Sequence, residues 1–369
     1  MKLPVSHLIP GMKLSRPVYG YKGQMLLNSG VELTSSYIYA LRRHKVLAVV
    51  VESLPGCIYG INEKEAELLL EERIRIRAMA SLQEWVESGR KHEYFENIVE
   101  QVCAIVDEIL SGRIPSGGLA EISVADVYTF AHSIDVCVFS VYMGINYGYG
   151  KEKLLKLGLG SILHDLGKVR VDPGILNKPG QLAEEEFVEI KKHPIWGYEM
   201  LTEELPGQIS DSSLEIVLNH HERCNRSGYP RGINGGEISD LVTICAIADV
   251  YSAMITERVY RKAFSPNEAY EMIMANSDIY FNFELVKLFA SCVNPYPIET
   301  LVLLNNGKVG CVKANNRNLP LRPIITMLQT GEQIDLSKEL SFVIKRALAP
   351  EEARGYCIFN YSQSFNSTA

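Results

Sequence analysis

The chain of 369 residues has no run approaching the roughly 20 consecutive apolar residues that a membrane-spanning helix needs. Its opening residues, Met1-Lys2-Leu3-Pro4, do not lead into the apolar core of a signal peptide. A cytoplasmic protein with no membrane partner is therefore expected. Positive charge is in deficit: 37 Lys and Arg stand against 44 Asp and Glu, a net charge of -7. That argues against a chain-wide surface for a nucleic acid polymer, while leaving room for a local basic pocket that holds phosphate. None of the eight cysteines is spaced CxxC, which removes a zinc ribbon and a thioredoxin-type motif. Reduced, buried thiols are the expectation.

The length is too great for one core, and the patterning divides it. Residues 1–61 read as a small α/β domain with a regulatory role. Thr34-Ser35-Ser36 can cap a helix whose apolar residues are Tyr37, Ile38 and Leu41, and residues 46–51 read as a buried strand. Residues 62–94 are charged and helix-favouring, a connector that could join two copies or pack on its own domain. From residue 95 to 297 the periodicity is helical, beginning with Phe95, Ile98, Val99, Val102, Ile105, Val106, Ile109 and Leu110 at i, i+3, i+4 spacing. Residues 298–369 form a small β-rich region, where Asn306-Gly307 between apolar runs suggests a type I′ hairpin and residues 323–328 a third strand.

What the chain does have is histidine in one place. Five of its eight histidines, His132, His164, His193, His220 and His221, fall within the helical segment, and His164 is followed by Asp165. Such a dyad alone reads as a core hydrogen bond more readily than as a metal site. Asp249, in the run Ile244-Cys245-Ala246-Ile247-Ala248-Asp249-Val250, needs a cationic partner if it is buried, which a salt bridge or a metal would supply. Seven candidate ligands with two carboxylates exceed one four-coordinate structural zinc. They suit two octahedral cations bridged by Asp165 and a hydroxide, and the imidazole content favours Fe or Mn over Mg. Two such ions can activate water and stabilise both oxygens of phosphodiester cleavage.

The motifs Tyr128-Thr129-Phe130-Ala131-His132-Ser133, His164-Asp165-Leu166-Gly167-Lys168, Ile175-Leu176-Asn177-Lys178-Pro179-Gly180-Gln181-Leu182, His193-Pro194, His220-His221-Glu222 and Gly228-Tyr229-Pro230 resemble, in order, those of HD-GYP domains, a subgroup of the HD phosphohydrolases. The resemblance implies a mainly α fold, an HD-domain helical bundle, that hydrolyses cyclic di-GMP to pGpG or GMP. It places His132, His164, Asp165 and Asp249 on one metal and Asp165, His193, His220 and His221 on the other. Some members bind a third metal through a glutamate four residues before the first histidine; Tyr128 stands there, so two ions are expected. It makes Asp165 and Lys168 catalytic, and it puts Tyr229, Arg258 and Arg261 against the substrate. For the two arginines a solvated helix face is the alternative. Three positions depart from the family pattern. Asn225 and Arg226 replace Asp-Gly, where Arg226 could force a different loop because glycine tolerates positive φ far better, and Ser252 replaces a common aspartate. The expected function is a metal-dependent cyclic di-GMP phosphodiesterase. The alternatives are a weak or inactive module that binds cyclic di-GMP or a signalling partner, and a hydrolase of another cyclic dinucleotide.

Overall fold

The computed structural model describes residues 2–5, 8, 10–19, 25–44, 46, 48–51, 72–89, 92–112, 130–176, 178, 180–256, 263–316, 319–348 and 352. Two compact units are present. One comprises Leu70–Phe264 and Glu268–Val293, the other Met1–Leu69, Ser265–Asn267 and Asn294–Ala369.

In the second of these, the N-terminal part contains two antiparallel strand pairs and a helix. β1 (Lys2–Pro4) pairs with β4 (Ala48–Val50), and β2 (Val18–Tyr19) with β3 (Met25–Leu27). Thr34 caps α1 (Ser35–Arg43) by accepting from the Tyr37 N–H at 3.2 Å. Ile38 and Leu41 enter the core, while Tyr37, one turn before Leu41, stays exposed. The C-terminal part is a five-stranded antiparallel sheet in the order β8-β7-β6-β5-β9. Its strands are β5 (Leu301–Leu304), β6 (Val309–Ala314), β7 (Ile324–Met327), β8 (Gln333–Asp335) and β9 (Ile344–Ala347). The β5–β6 hairpin is not type I′. Asn306 keeps a negative φ, Gly307 alone is left-handed at 80°, and Leu304 N–H reaches Lys308 O at 2.9 Å around a three-residue loop.

The helical unit is built from α2 (Glu72–Glu87), α3 (His92–Leu110), α4 (Phe130–Asn146), α5 (Lys151–Leu163), α6 (Pro173–Leu176), α7 (Glu184–Ile190), α8 (His193–Glu204), α9 (Asp211–Asn219), α10 (Asp240–Ile255), α11 (Pro266–Ala275) and α12 (Phe283–Cys292). On α3, Phe95, Ile98, Val102, Ile105, Val106 and Ile109 are buried, whereas Val99 and Leu110, expected with them, are exposed, and Trp85 of α2 packs on Phe95. A buried ion pair from Arg75 to Asp135 ties α2 to α4. Ser239 caps α10, whose residues are buried almost all round, so it runs through the centre.

Three glycines explain how α5 comes so close to its neighbours despite its weak intrinsic propensity. A Cβ on Gly158 would sit 3.0 Å from Val102 Cγ1, and one on Gly160 2.9 Å from Ser213 O. Beyond the helix, a Cβ on Gly167 would lie 1.9 Å from the carbonyl oxygen of His193 and 2.6 Å from Gly197 N. Gly167 therefore lets the turn after α5 press directly on the start of α8. Because the obstructing atoms are backbone, Gly167→Ala should destabilise by about 3 kcal/mol or more, the top of the range for overpacking. Gly236→Ala, which meets nothing within 4 Å, should stay within about 0.5 kcal/mol. Urea unfolding of the two variants checks this contrast.

Candidate metal centre

The seven candidate ligands come from five helices and converge. His132 stands in the first turn of α4, and His164 caps the C-terminus of α5 with Asp165 next to it. His193 opens α8, where Pro194 suits the first turn, and His220 caps α9 ahead of His221. Asp249 lies on the buried α10. Two clusters result: Asp165, His193, His220 and His221 in one, and His132, His164 and Asp249 in the other, with ligand atoms in each within 4.8 Å of one another. Asp165 faces both, with Oδ1 3.2 Å from His193 Nε2 and Oδ2 3.4 Å from His164 Nε2.

The hydrogen bonds fix which nitrogen each ring presents. His164 Nδ1 lies 2.7 Å from Ser161 O, His193 Nδ1 2.7 Å from Ile190 O, and His220 Nδ1 3.0 Å from Val217 O. A carbonyl only accepts, so each Nδ1 carries the proton and donates to the residue three positions earlier. In the neutral ring Nε2 is then a lone pair. Yet the Nε2 atoms of His193 and His220 stand 3.3 Å apart, and neither His164 Nε2 nor Asp165 Oδ1 has a well-directed hydrogen bond. Lone pairs and carboxylate oxygens aimed at one another in a buried space fit a cation, and imidazole with carboxylate is a donor set for a divalent transition metal.

Electrostatics agree with that fit for the two carboxylates and for His220 and His221. Burial raises the Asp165 carboxyl, but the charges of His164 and Lys168 outweigh it and hold the group well below the ordinary carboxylate range. Burial raises Asp249 too, and the hydrogen bond from His132 with the nearby histidine charges holds it down in the same way. Burial, then the neighbouring histidines, pushes His220 and His221 well below the usual histidine value, leaving both rings neutral and able to ligate. Burial pulls His164 down as well, but Asp165 and Asp249 reverse the sign and raise it.

Lys168 reaches back to Asp165 Oδ2 at 2.5 Å. Tyr229 stacks on His221, with ring centroids 4.6 Å apart. Arg258 and Arg261 lie outside the described residues, as does Tyr128. Arg226 takes φ 66°, so the turn keeps the left-handed conformation expected of glycine there rather than refolding. Ser252 Oγ lies 3.1 Å from His132 Nδ1, while the other ring nitrogen meets Asp249 Oδ1 at 2.9 Å. Serine thus meets His132 from the position where an aspartate is common.

Sequence reasoning missed two neighbours of the site. Lys191 places its ammonium 4.6 Å from the Phe187 ring centre and 5.6 Å from that of Tyr229. Its one visible signal is a cation two residues ahead of His193. Arg223 is half-buried against Tyr280 and Phe281 and donates to the carbonyls of His220 and Glu222. Nothing in its spacing announced that role.

The shifts give metal-free protein a stability maximum near the ordinary histidine pKa. Above about 6.5, His164 binds its proton in the folded state and not in the unfolded, so stability rises as pH falls. Below it, the unfolded chain protonates His220 and His221 while the folded state resists, so stability falls. Between about pH 6.5 and 5.5 stability should therefore fall, read from urea midpoints in the presence of chelator. A flat profile would contradict the neutral assignment of the two rings.

Residues 129–285 match the HD domain family, and residues 301–355 a KOW domain associated with HD domains. A cyclic di-GMP phosphodiesterase of Pseudomonas aeruginosa is 32% identical over 268 residues, covering 70% of this chain and 64% of that protein. One from Borreliella burgdorferi is 28% identical over 217 residues, 58% of this chain and 56% of its own length. A 3′3′-cGAMP-specific phosphodiesterase of Vibrio cholerae is 32% identical over 160 residues, 43% of this chain and 30% of its own. The chain thus spans less than two thirds of these relatives. An HDG"Y"P protein from Bdellovibrio bacteriovorus has a similar fold, with a TM-score of 0.52 at 19% identity over 78% of this chain and 97% of that one. Residues 129–285 thus carry an HD domain, and the His-Asp pair, the converging histidines and the Gly228-Tyr229-Pro230 loop make the chain similar to the HD-GYP type.

Proposed function

We propose that the chain is a metal-dependent phosphodiesterase that hydrolyses cyclic di-GMP to pGpG or GMP. The observation that carries this reading is the set of three histidines whose Nδ1 protons are committed to backbone carbonyls, so that their Nε2 lone pairs meet around Asp165. The relatives named as cyclic di-GMP phosphodiesterases supply the substrate class. An intracellular second messenger as substrate implies a cytoplasmic site of action.

His132, His164, Asp165 and Asp249 would hold one divalent ion, and Asp165, His193, His220 and His221 a second, Fe or Mn by donor type. Bound there, such ions supply an activated water and neutralise charge on the phosphodiester oxygens. The protein contributes orientation. Each carbonyl that accepts from Nδ1 fixes a ring's rotation, and Ser252 does the same for His132. Lys168 compensates Asp165 and keeps an ammonium beside the place where charge builds on phosphate. Tyr229 would line the substrate side, and Arg258 and Arg261 would meet the phosphates. The HD domain proper extends over residues 95–297 in this reading, with the flanking regions 1–61 and 298–369 as sites of regulation or of partner binding, including a second copy.

A second substrate has one observation in its favour, the similarity to the Vibrio cholerae enzyme named as specific for 3′3′-cGAMP. Anaerobically prepared protein loaded with Fe or Mn should hydrolyse cyclic di-GMP, with metal content near two ions per chain. Asp165→Ala should lose turnover at least about 100-fold together with metal, since it removes the residue shared by both clusters. Chromatography of cyclic di-GMP and 3′3′-cGAMP digests beside this variant decides. Preference for the mixed dinucleotide would move the substrate assignment, and no turnover of either by metal-loaded protein would leave a binding module.

A further inference from the structure

Glu222 directly follows two candidate ligands yet joins neither metal cluster. Its side chain is 2% exposed, and its oxygens are already engaged. Oε1 accepts from the N–H groups of Arg231 at 2.7 Å and Gly232 at 3.1 Å, and Oε2 accepts from the N–H of Ile233 at 3.2 Å. Three consecutive amides thus converge on one carboxylate, an arrangement that needs an acceptor with no proton of its own.

The rest of that loop is fastened to the same turn. Tyr229 N–H donates to His221 O at 3.3 Å, and the Arg231 guanidinium donates to Asn219 Oδ1 at 3.2 Å. A Cβ on Gly228 would lie 2.5 Å from Glu222 Cα and 2.6 Å from His221 O, so only glycine allows the loop to lie this close. Folded back in this way, the loop lays the Tyr229 ring on His221, at 4.6 Å and 29°, with His193 at 6.4 Å.

We infer that Glu222 is a positioning residue: its carboxylate staples residues 231–233 to the His220-His221 turn and thereby holds Tyr229 at the edge of the metal centre, as a wall for the nucleoside part of a cyclic dinucleotide. The inference rests on the substrate class proposed above. It assigns Glu222 neither ligation nor proton transfer, because all three amides would have to be released first. A neutral amide in its place turns an N–H toward a donor and removes the charge that gathers the others.

The test compares Glu222→Gln, Tyr229→Ala and the double variant in the full chain, with metal content measured for each. Glu222→Gln should keep its metal and raise KM for cyclic di-GMP about tenfold, with a smaller change in kcat. It should lose more on cyclic di-GMP than on bis(p-nitrophenyl) phosphate, a diester without nucleosides. Because both residues act through the same ring, the double variant should be no worse than the poorer single one. Additive losses, loss of metal, or equal losses on both diesters would overturn the assignment. Trypsin reads the staple without reference to turnover: cleavage after the exposed Arg231 should speed up in Glu222→Gln and not in Tyr229→Ala. Unchanged cleavage in Glu222→Gln refutes the staple. Failure of the wild-type protein to hydrolyse cyclic di-GMP, with the cleavage contrast intact, refutes only the substrate.

Discussion

The centre depends on a short hydrogen bond repeated three times, from a histidine Nδ1 to the carbonyl three residues back. At the end of a helix the last carbonyls have no partner from the helix itself. His164 and His220 are the C-caps of α5 and α9, and each uses its own ring to satisfy one of those carbonyls. One bond therefore finishes the helix and chooses the tautomer. Had either ring turned over, Nε2 would carry the proton and the inward face would present a donor rather than a lone pair.

That constraint makes the positions of the helix ends critical, and the close packing follows from it. Gly158 and Gly160 let α5 approach α3 and α9, so that two capped ends arrive together. Gly167 lets the following turn touch the start of α8, which brings His193 within 3.2 Å of Asp165. Within the helical unit the apolar core serves as a jig: α10 is buried nearly all round, and its one central carboxylate, Asp249, emerges where His132 and His164 can meet it. Burying that charge without a partner would cost several kcal/mol, and the surrounding rings supply one only in part.

Much of this was visible in the letters. The buried Asp249, the His-Asp pair and the clustered histidines identify the ligand chemistry because few other arrangements tolerate those groups in apolar helices. The apolar stripe of α3 and the glycine-rich α5 were also legible, though not the reason for the glycines, which lies in contacts with α3 and α9 rather than in propensity. Local signals misled where a neighbour decided the outcome. Asn306-Gly307 carries the dipeptide of a two-residue turn, but pairing of Leu304 with Lys308 fixes a three-residue loop. Tyr37 shares a helix with Ile38 and Leu41 but stays exposed where they are buried. The strands β8 and β9, the ion pair from Arg75 to Asp135, and the three amides gathered by Glu222 depend on residues distant in sequence or on backbone groups, which carry no signature of their own.

The loop after the second histidine shows why a departure from the family pattern need not change the architecture. A left-handed backbone at Arg226 costs roughly 1–2 kcal/mol relative to glycine, and an isolated turn would relax to avoid it. Here it cannot, because its neighbours are pinned. Cys224 and Asn225 N–H groups donate to the Tyr280 and Ile279 carbonyls, Arg226 N–H donates to Arg223 O, and the Ser227 N–H and hydroxyl both donate to Asn225 Oδ1. Five bonds hold four residues, each worth about 1 kcal/mol net, against one strained dihedral. The segment that carries Tyr229 therefore starts from the same place whether glycine or arginine occupies the turn. Loss of the glycine is felt as a small debit in stability rather than as a displaced ligand.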